Sequence, residues 1–368
     1  MKIMEVTNVD FSLAHFLAPL MLAMQAQGHD VGGVCADGPL LDTVRAQGLR
    51  VVPVPMARSL SPLAQWRAFR ALVGLIRAEQ PDLVHAHMPI SGFLARLAAR
   101  IAGVPRVAYT CHGFLFNQPG PLWRRALALV IEWLGGRMTD VFLTVSDEEA
   151  VDARRLGIAR TATSVRNGRN PARFRPNPAA RIRIRAELGV PDDRCVVVIV
   201  SRLVRHKGHP ELAAALSQVP DMELWVVGER LPSDRGPDIG AILDGAGLGP
   251  RLRRLGYRTD VPDVLAAADI FALPSHFEGL PMSVIEAMLT GLPVIATTIR
   301  GPREQVVNGT TGILVPPSTV QPLVAALKAL VDPILRQNMG EAGRRRAVLH
   351  YDEIVILSRT MDLLGLSG

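Results

Sequence analysis

The stretch HFEGLPMSVIEAMLTGLPVIAT at residues 276–297 decides the fold of this chain, because it places an acidic turn and a helix start between two apolar segments. Glu278 lies in the predicted turn, and Glu286 lies about one turn inside a helix that Pro281 begins. Proline suits the first position of a helix because the N–H that it lacks would have no partner there. The segment therefore predicts two carboxylates grouped around the start of one helix.

The flanking residues place this turn in a parallel sheet. Residues 271–275 predict a buried strand that ends in a loop, and residues 291–296 predict a helix end followed by the next buried strand. The loop of such a βαβ unit lies at the carboxyl edge of the sheet, where open α/β folds bind ligands. The free N–H groups of Gly279, Leu280 and the first helical turn would point at one place, where hydrogen bonds and the helix dipole favour a diphosphate. The pattern predicts a nucleotide-binding site.

Strand and helix segments alternate along both halves of the chain, which is typical of doubly wound α/β sheets. Predicted strands cover 1–6, 31–35, 51–55, 83–87, 107–111 and 141–145 in the first half, and 194–201, 222–227, 252–256, 270–273 and 294–297 in the second, with predicted helices at 16–27, 62–79, 91–102 and 210–218.

A polar, proline-rich stretch at 167–178, NGRNPARFRPNP, predicts a linker between these halves. A chain of 368 residues is long enough for two domains, each with its own core. We expect two Rossmann-like domains that face each other across a cleft, with the active site in that cleft. The predicted boundaries are 1–170 for the first domain, 171–345 for the second, and 346–368 for a C-terminal helix that packs back towards the first domain.

A second motif, SRLVRHKG at 201–208, follows a predicted buried strand directly. An arginine guanidinium can make a fork of hydrogen bonds to phosphate, and a lysine ammonium adds a compact charge. Only three of the 41 Lys and Arg residues are lysines, so a lysine in this loop is unusual for this chain. The alternative is a solvated basic loop.

A third motif, TCHG at 110–113, ends a predicted strand of the first domain and carries His112. His112 is either a cleft residue or a structural histidine that caps the strand end. We expect the neighbouring His85 and His87 to point to opposite faces of their strand and so not to form a chelating pair, with His87 as a second candidate for the site.

Together these motifs resemble the retaining glycosyltransferases of family 4, which have the GT-B fold. The E-x7-E region matches residues 278–286, the S-R-L and K-G elements match 201–208, and the interdomain N-G and F-x-P elements match 167–176. The resemblance covers essentially the whole chain. It implies an amino-terminal acceptor-side domain and a carboxyl-terminal domain that binds the nucleotide sugar.

The resemblance also implies a role for each matched residue. Glu278 would contact the donor sugar and Glu286 the ribose, while Arg202 and Lys207 would neutralise the donor diphosphate and His112 would contact the sugar near its reactive face. The remaining donor-site residues implied by the match are Gly228, Tyr257, Arg258, Gly279 and Leu280. The match of 256–258 to the stretch that lines the nucleobase favours UDP over GDP.

The amino-terminal segments resemble the branch of the family that extends sugars on polyprenyl-diphosphate carriers in bacterial surface glycan or glycoprotein assembly. The expected reaction is therefore a metal-independent, retaining transfer of a hexose-type sugar to a lipid-diphosphate-linked sugar. No D-x-D motif is present to hold a metal, and no cofactor is expected. A UDP-sugar epimerase of the same fold and a non-catalytic membrane-binding scaffold remain as alternatives.

The positive charge is concentrated in the first half of the chain. Residues 1–180 carry 20 Lys and Arg against 13 Asp and Glu, whereas residues 181–368 carry 21 of each. A helix predicted at 121–134 has two tryptophans, an apolar face and a basic start, which suits the headgroup region of an inner-leaflet membrane surface. The alternative is a core helix with its tryptophans inside. Nucleic acid is not expected, because no binding motif is present and only 5% of residues are aromatic.

Cysteine usage and the apolar segments bear on location. Cys35, Cys111 and Cys195 are odd in number and widely spaced, which suggests a reduced compartment, no disulfide framework and no zinc site. The apolar run at 13–24 is too short to span a bilayer. We expect a cytoplasmic protein that is peripheral on the cytoplasmic face of the plasma membrane.

Overall fold

The computed structural model describes residues 1–56, 61–231, 234 and 236–367. The chain divides into two compact units, the first comprising Met1–Arg166 and Val355–Gly368 and the second comprising Asn167–Ile354. Residue 368, the last of the predicted segment 346–368, lies outside the described residues.

The first unit is a parallel sheet with helices on both faces. Its strands are β1 (Lys2–Val6), β2 (Asp30–Cys35), β3 (Arg50–Pro53), β4 (Leu83–His87), β5 (Arg106–Cys111), β6 (Val141–Thr144) and β7 (Thr163–Ser164). Its helices are α1 (Asp10–Ser12), α2 (Ala18–Ala26), α3 (Leu41–Ala46), α4 (Pro62–Glu79), α5 (Pro89–Ala102), α6 (Leu122–Arg137) and α7 (Asp147–Arg155), with a π-helical turn at Leu13–Leu17. The described strands pair in the order β3-β2-β1-β4-β5-β6-β7, all parallel.

Two apolar clusters cover the two faces of this sheet. Successive strand residues point to opposite faces, so Ile3 lies in one cluster and Met4 in the other. The cluster that contains Ile3 also contains Leu364 and Leu366 from the end of the chain. Strands buried on both faces explain the nearly continuous apolar runs in the sequence.

The second unit repeats this architecture. Its strands are β8 (Cys195–Val200), β9 (Met222–Val227), β10 (Leu252–Gly256), β11 (Ile270–Leu273), β12 (Val294–Thr297) and β13 (Gly312–Val315). Its helices are α8 (Pro178–Leu188), α9 (His209–Leu216), α10 (Ile239–Asp244), α11 (Val261–Ala267), α12 (Met282–Thr290), α13 (Pro302–Gln305), α14 (Gln321–Ala329) and α15 (Pro333–His350). The last helix, α16 (Glu353–Leu363), begins in the second unit and lies mostly in the first. The described strands pair in the order β10-β9-β8-β11-β12-β13, all parallel.

Both sheets contain a point at which the strand order reverses. It lies between β1 and β4 in the first unit and between β8 and β11 in the second. The chain leaves the two central strands in opposite directions at such a point, which opens a crevice at their carboxyl ends. The motifs at 201–208 and 276–286 follow β8 and β11, so the fold brings them to the same edge of one sheet.

Helix α6 carries its tryptophans on the outside. Trp123 and Trp133 are 63% and 40% exposed. The opposite side of α6 is fixed by the buried Glu132, which pairs with Arg96 at 3.3 Å and accepts a hydrogen bond from the hydroxyl of Tyr109 at 3.2 Å. The interpretation of α6 as a core helix with its tryptophans inside is therefore wrong, because both tryptophans are exposed and, of the apolar residues that the structure describes on this helix, only Ala128 and Leu129 pack against the core cluster. In the part of the chain that the structure describes, no helix combines the length and apolarity needed to cross a bilayer.

Candidate active site

An ion pair joins the two loops at the carboxyl edge of the second sheet. Lys207 lies in the loop that follows β8 (201–208, the β8 loop), and Glu278 lies in the loop that follows β11 (274–281, the β11 loop). The Nζ atom of Lys207 lies 2.7 Å from Oε1 and 2.9 Å from Oε2 of Glu278. The hydroxyl of Ser275 donates to Oε1 at 2.6 Å. The structure thus brings these two predicted site residues together and adds Ser275, which the sequence did not single out.

A second set of contacts ties the same loops together. The guanidinium of Arg205 bonds both carboxylate oxygens of Glu211 at 2.6 and 2.8 Å, and the ring of His276 lies 3.2 Å from Glu211. The backbone N–H of His276 donates to the carbonyl of His206 at 2.8 Å. Although burial opposes it, hydrogen bonds from Arg205 lower the pKa of Glu211. These contacts hold together the two loops that carry Lys207 and Glu278.

Arg202 is paired with a carboxylate in this structure. Its guanidinium contacts Asp234, whose carboxylate also accepts the N–H of Leu231 at 3.0 Å. The carbonyl of Arg202 lies 3.1 Å from Nε2 of the buried His209. Asp234 could not be recognised from the sequence, because it lies more than 30 residues from Arg202 in a loop without a recognisable pattern.

Gly228 follows β9, and the backbone geometry there requires a glycine. Its φ of +123° is unfavourable for other residues, and a Cβ atom there would collide with the carbonyl of Ser201. Its N–H donates to the carbonyl of Gly256 at 2.8 Å. Gly228 therefore allows the ends of β8, β9 and β10 to approach one another, and its contact with a donor stays a prediction.

Helix α12 begins one residue later than predicted, at Met282, with Pro281 as the residue that precedes it. Two side-chain amides fix this turn, since Asn167 donates to the carbonyl of Leu280 at 2.7 Å and Gln305 donates to that of Pro281 at 3.0 Å. Leu280 is buried, so its side chain is part of the core and only its backbone can serve a ligand. These two bonds hold the turn in place, and its contact with an anion stays a prediction.

Glu286 is almost buried and pairs with Arg169, whose Nε lies 2.7 Å from Oε1 of Glu286. The backbone N–H of Arg169 donates to the carbonyl of Tyr351 at 2.9 Å. This bond fixes the backbone that carries the Arg169 side chain. Arg169 lies in the predicted linker, and no role was predicted for it. The one signal was its position directly after the N-G element at 167–168.

The predicted nucleobase-lining pair lies at the end of β10. Tyr257 is half exposed, and its N–H donates to Glu229 at 3.1 Å. The guanidinium of Arg258 bonds both oxygens of Asp260 at 2.7 Å and Glu187 at 2.8 Å, and these carboxylates raise its pKa. Arg258 therefore has a structural role here, and its contact with a base stays a prediction.

His112 follows β5 in the first unit and belongs to a hydrogen-bonded group. Its Nε2 lies 3.0 Å from Nδ1 of His87, and Nε2 of His87 lies 2.7 Å from Oε2 of Glu5. Nδ1 of His85 lies 2.9 Å from Oε1 of the same carboxylate, and its Nε2 lies 2.8 Å from the hydroxyl of Thr110.

The expectation that His85 and His87 point to opposite faces was wrong. Residues two apart on a strand share a face, and the two ring centroids lie 4.1 Å apart. Glu5 was not among the predicted site residues, although a lone acidic residue in the apolar strand β1 is a visible signal. Glu5, His85 and His87 have ligand atoms within 4.8 Å of one another, a spacing that would suit a metal. Each ring nitrogen that faces Glu5 is nevertheless hydrogen-bonded to it, so a metal would have to displace those protons.

Comparison with known proteins identifies the family of this chain. Residues 13–168 match the model of the glycosyl transferase 4-like domain, and residues 180–346 match the model of the glycosyl transferases group 1 family. The chain belongs to the group 1 glycosyltransferases. This confirms the family predicted from the motifs.

Two relatives align over almost the whole chain. The chain is 28% identical to UDP-Gal:alpha-D-GlcNAc-diphosphoundecaprenol alpha-1,3-galactosyltransferase from Escherichia coli, over 98% of both proteins. It is 26% identical to N,N'-diacetylbacillosaminyl-diphospho-undecaprenol alpha-1,3-N-acetylgalactosaminyltransferase from Campylobacter jejuni, over 99% of this chain and 98% of the relative.

A solved structure supports the fold. HepE from Anabaena, crystallised with UDP and glucose, is similar to this glycosyltransferase with a TM-score of 0.85 over 99% of both chains, at 23% identity. This likeness confirms the predicted GT-B fold.

Proposed function

We propose that this glycosyltransferase moves a hexose-type sugar from a UDP-sugar, with retention of configuration, to a polyprenyl-diphosphate-linked sugar. The observation that carries the proposal is the contact of Lys207 with Glu278 at the switch point of the second sheet. A cation suited to bind phosphate and a carboxylate suited to bind sugar hydroxyls lie side by side there. The Escherichia coli and Campylobacter jejuni relatives, which align over nearly their full length, are named for diphosphoundecaprenol-linked acceptors.

In the proposed mechanism the protein supplies charge and alignment. Lys207 and Arg202 would bind the diphosphate, together with the N–H groups at the start of α12, and stabilise it as the leaving group. The bond between the anomeric carbon and the β-phosphate oxygen breaks as the acceptor oxygen bonds to the same face of that carbon. The acceptor proton passes to the β-phosphate oxygen, and UDP is released. Two side-chain cations at the diphosphate support metal-independent transfer, since they provide the charge that a metal would otherwise provide.

Glu278 and Glu286 would recognise the two ends of the donor. Glu278 offers its carboxylate to sugar hydroxyls once Lys207 turns to phosphate, and Ser275 keeps that carboxylate oriented through its 2.6 Å hydrogen bond. Glu286 is held by Arg169 at the base of α12, one helical turn beyond the diphosphate site, where it would accept hydrogen bonds from the ribose. Neither carboxylate is proposed as a nucleophile.

The exposed face of α6 supports a membrane-associated acceptor. Six large apolar residues on this helix are exposed and, at 100° per residue, fall within about 140° of its surface. They are Leu122, Trp123, Leu127, Val130, Trp133 and Leu134. The guanidinium groups of Arg124 and Arg137 lie over the rings of Trp123 and Trp133, at 5.1 and 4.1 Å from the ring centroids. Basic groups beside exposed tryptophans suit the anionic headgroups of an inner-leaflet surface.

The test is a donor screen that follows UDP release with and without a polyprenyl-diphosphate-linked sugar. We expect release that depends on the acceptor, a product whose anomeric configuration matches that of the donor by NMR, and no loss of rate with a chelator. Sugar interconversion without an acceptor would instead identify an epimerase. Vesicle binding without any donor consumption would identify a scaffold.

A further inference from the structure

A line of hydrogen bonds crosses three adjacent strands at the carboxyl edge of the first sheet. Glu5 lies on β1, His87 on the neighbouring β4 and His112 directly after the next strand, β5. The contacts run from Glu5 Oε2 to His87 Nε2 at 2.7 Å and from His87 Nδ1 to His112 Nε2 at 3.0 Å. Glu5 and His87 are buried, whereas His112 is partly exposed.

The charges of these groups decide where the protons lie. Although burial opposes it, the interactions with His85 and His87 lower the pKa of Glu5 to about 2, so its carboxylate is ionised and only accepts hydrogen bonds. Burial and the nearby His85 lower the pKa of His87 to about 4, against the effect of Glu5, so its ring is neutral at pH 7. Burial, His87 and His85 together lower the pKa of His112 well below its ordinary value.

A neutral imidazole carries one N–H and one bare nitrogen. Because Glu5 only accepts, Nε2 of His87 must donate to it, and Nδ1 of His87 is then bare. That bare nitrogen can only accept, so Nε2 of His112 carries the proton. The lone pair of His112 then lies on Nδ1. The buried carboxylate thus sets the tautomer of a ring two hydrogen bonds away.

We propose that Glu5 and His87 are positioning residues for the sugar transfer, which hold His112 as the Nε2–H tautomer so that its Nδ1 accepts a hydrogen bond from a hydroxyl of the bound sugar. The inference rests on the proposed function and on the role that the family resemblance implies for His112, which is contact with the donor sugar. In the wrong tautomer the ring would present an N–H at Nδ1 and could not accept that hydrogen bond.

His85 provides a matched control, because it binds the same carboxylate from the same face of β4 but directs its other nitrogen to Thr110. His87→Gln keeps a donor near the position of Nε2 for Glu5 and loses the acceptor for His112. His85→Asn keeps a donor near the position of Nδ1 for Glu5 and loses the bond to Thr110. Each variant therefore keeps its contact with the buried carboxylate and loses only the outer one.

The experiment reads the tautomer directly through two-bond ¹H–¹⁵N correlations of histidine-labelled protein, with the signals of His112 assigned by their loss in His112→Phe. In the unmodified protein we expect one tautomer, protonated at Nε2. His87→Gln should mix the tautomers and lower kcat/KM for the UDP-sugar about five- to tenfold, as expected for one lost hydrogen bond. His85→Asn should change neither the spectrum nor the rate.

A spectrum that shows His112 protonated at Nδ1, or a His87→Gln variant with an unchanged spectrum, would overturn the proposal. Equal rate losses in both variants would also overturn it, since they would indicate a general loss of core stability. If the unmodified protein transfers no sugar at all, the proposed function fails, and the spectra still decide whether Glu5 and His87 set the ring of His112.

Discussion

Replacing Lys207 by alanine removes the cation that joins the two loops of the second sheet. Lys207 and Glu278 are only 16% and 8% exposed, and the ammonium contacts both carboxylate oxygens. The replacement therefore has two effects. It removes a charge that the proposed diphosphate needs, and it leaves a nearly buried carboxylate without its cation.

The burial of the pair sets the size of the effect on stability. Exposed pairs are worth about 0–1 kcal/mol, and breaking a fully buried pair costs about 3–5 kcal/mol. Because Ser275 still donates to Glu278 at 2.6 Å, we expect Lys207→Ala to lower the free energy of unfolding by about 2 kcal/mol, which corresponds to a fall in Tm of about 4–8 °C for a unit of this size. The loss of one charged group at the leaving diphosphate should lower kcat/KM about a hundredfold.

Thermal unfolding and UDP release measure the two effects separately. Lys328→Ala is the matched control, because Lys328 lies exposed on α14 of the same unit, and it should change neither quantity. Adding Glu278→Gln to Lys207→Ala removes the unpaired charge, so the double variant should regain most of the lost stability and none of the activity. The assignment of Lys207 to the diphosphate is refuted if Lys207→Ala keeps full kcat/KM while its Tm falls.

Three further predictions address other parts of the molecule. Arg169→Leu should raise the donor KM about tenfold, because it releases Glu286. Arg173→Leu is the control, because Arg173 is exposed and lies only four residues further along the chain, and equal KM values for both would contradict the role of Arg169. Burial lowers the pKa of His209 from 6.5 to about 4. The free energy of unfolding that depends on a neutral His209 is therefore fully present above about pH 6.5 and is lost as the pH falls towards 4. His209→Gln, which keeps the bond to the carbonyl of Arg202, should reduce that loss by about 3 kcal/mol in denaturant titrations at pH 7 and pH 4, and an unchanged pH dependence would speak against it. Trp123→Ala and Trp133→Ala should each weaken sedimentation with anionic vesicles about tenfold, whereas Ile182→Ala on α8 should not, and binding retained in both tryptophan variants would exclude α6 as the contact.

The sequence predicted most of the fold because buried parallel strands are apolar runs of a recognisable length. It missed β7, which has only two residues, and β13, whose GILV sequence follows a turn too closely to stand out. It left two interpretations of α6 open, because an apolar helix has the same composition whether its apolar face packs inside or lies exposed. The error over His85 and His87 was one of geometry, since the period of two in a strand already placed both rings on one face.

The site was predictable as separate motifs and not as a set of contacts. Lys207, Glu278 and Glu286 each lie in a local pattern with a chemical meaning. The partners of Arg202, Glu278 and Glu286 lie in loops without such a pattern, and they are Asp234, Ser275 and Arg169 respectively. Lys207 and Glu278 are 71 residues apart, and they meet only because β8 and β11 are neighbours in the sheet. Sheet order is a property of the whole fold, so no local spacing could reveal it.

This pairing changes how the proposed donor would be recognised. If the two residues acted separately, Lys207 would bind the phosphate and Glu278 would bind the sugar, and each would act whether or not the other end of the donor were bound. In the structure each neutralises the other. A diphosphate that takes Lys207 leaves the carboxylate of Glu278 without its cation, and the hydroxyl groups of a sugar can then satisfy it. A nucleotide without a sugar brings no such hydroxyls, so part of its phosphate binding energy is lost to the unpaired carboxylate. In the proposed mechanism the ion pair would therefore favour the intact nucleotide sugar over the nucleotide that is released after transfer.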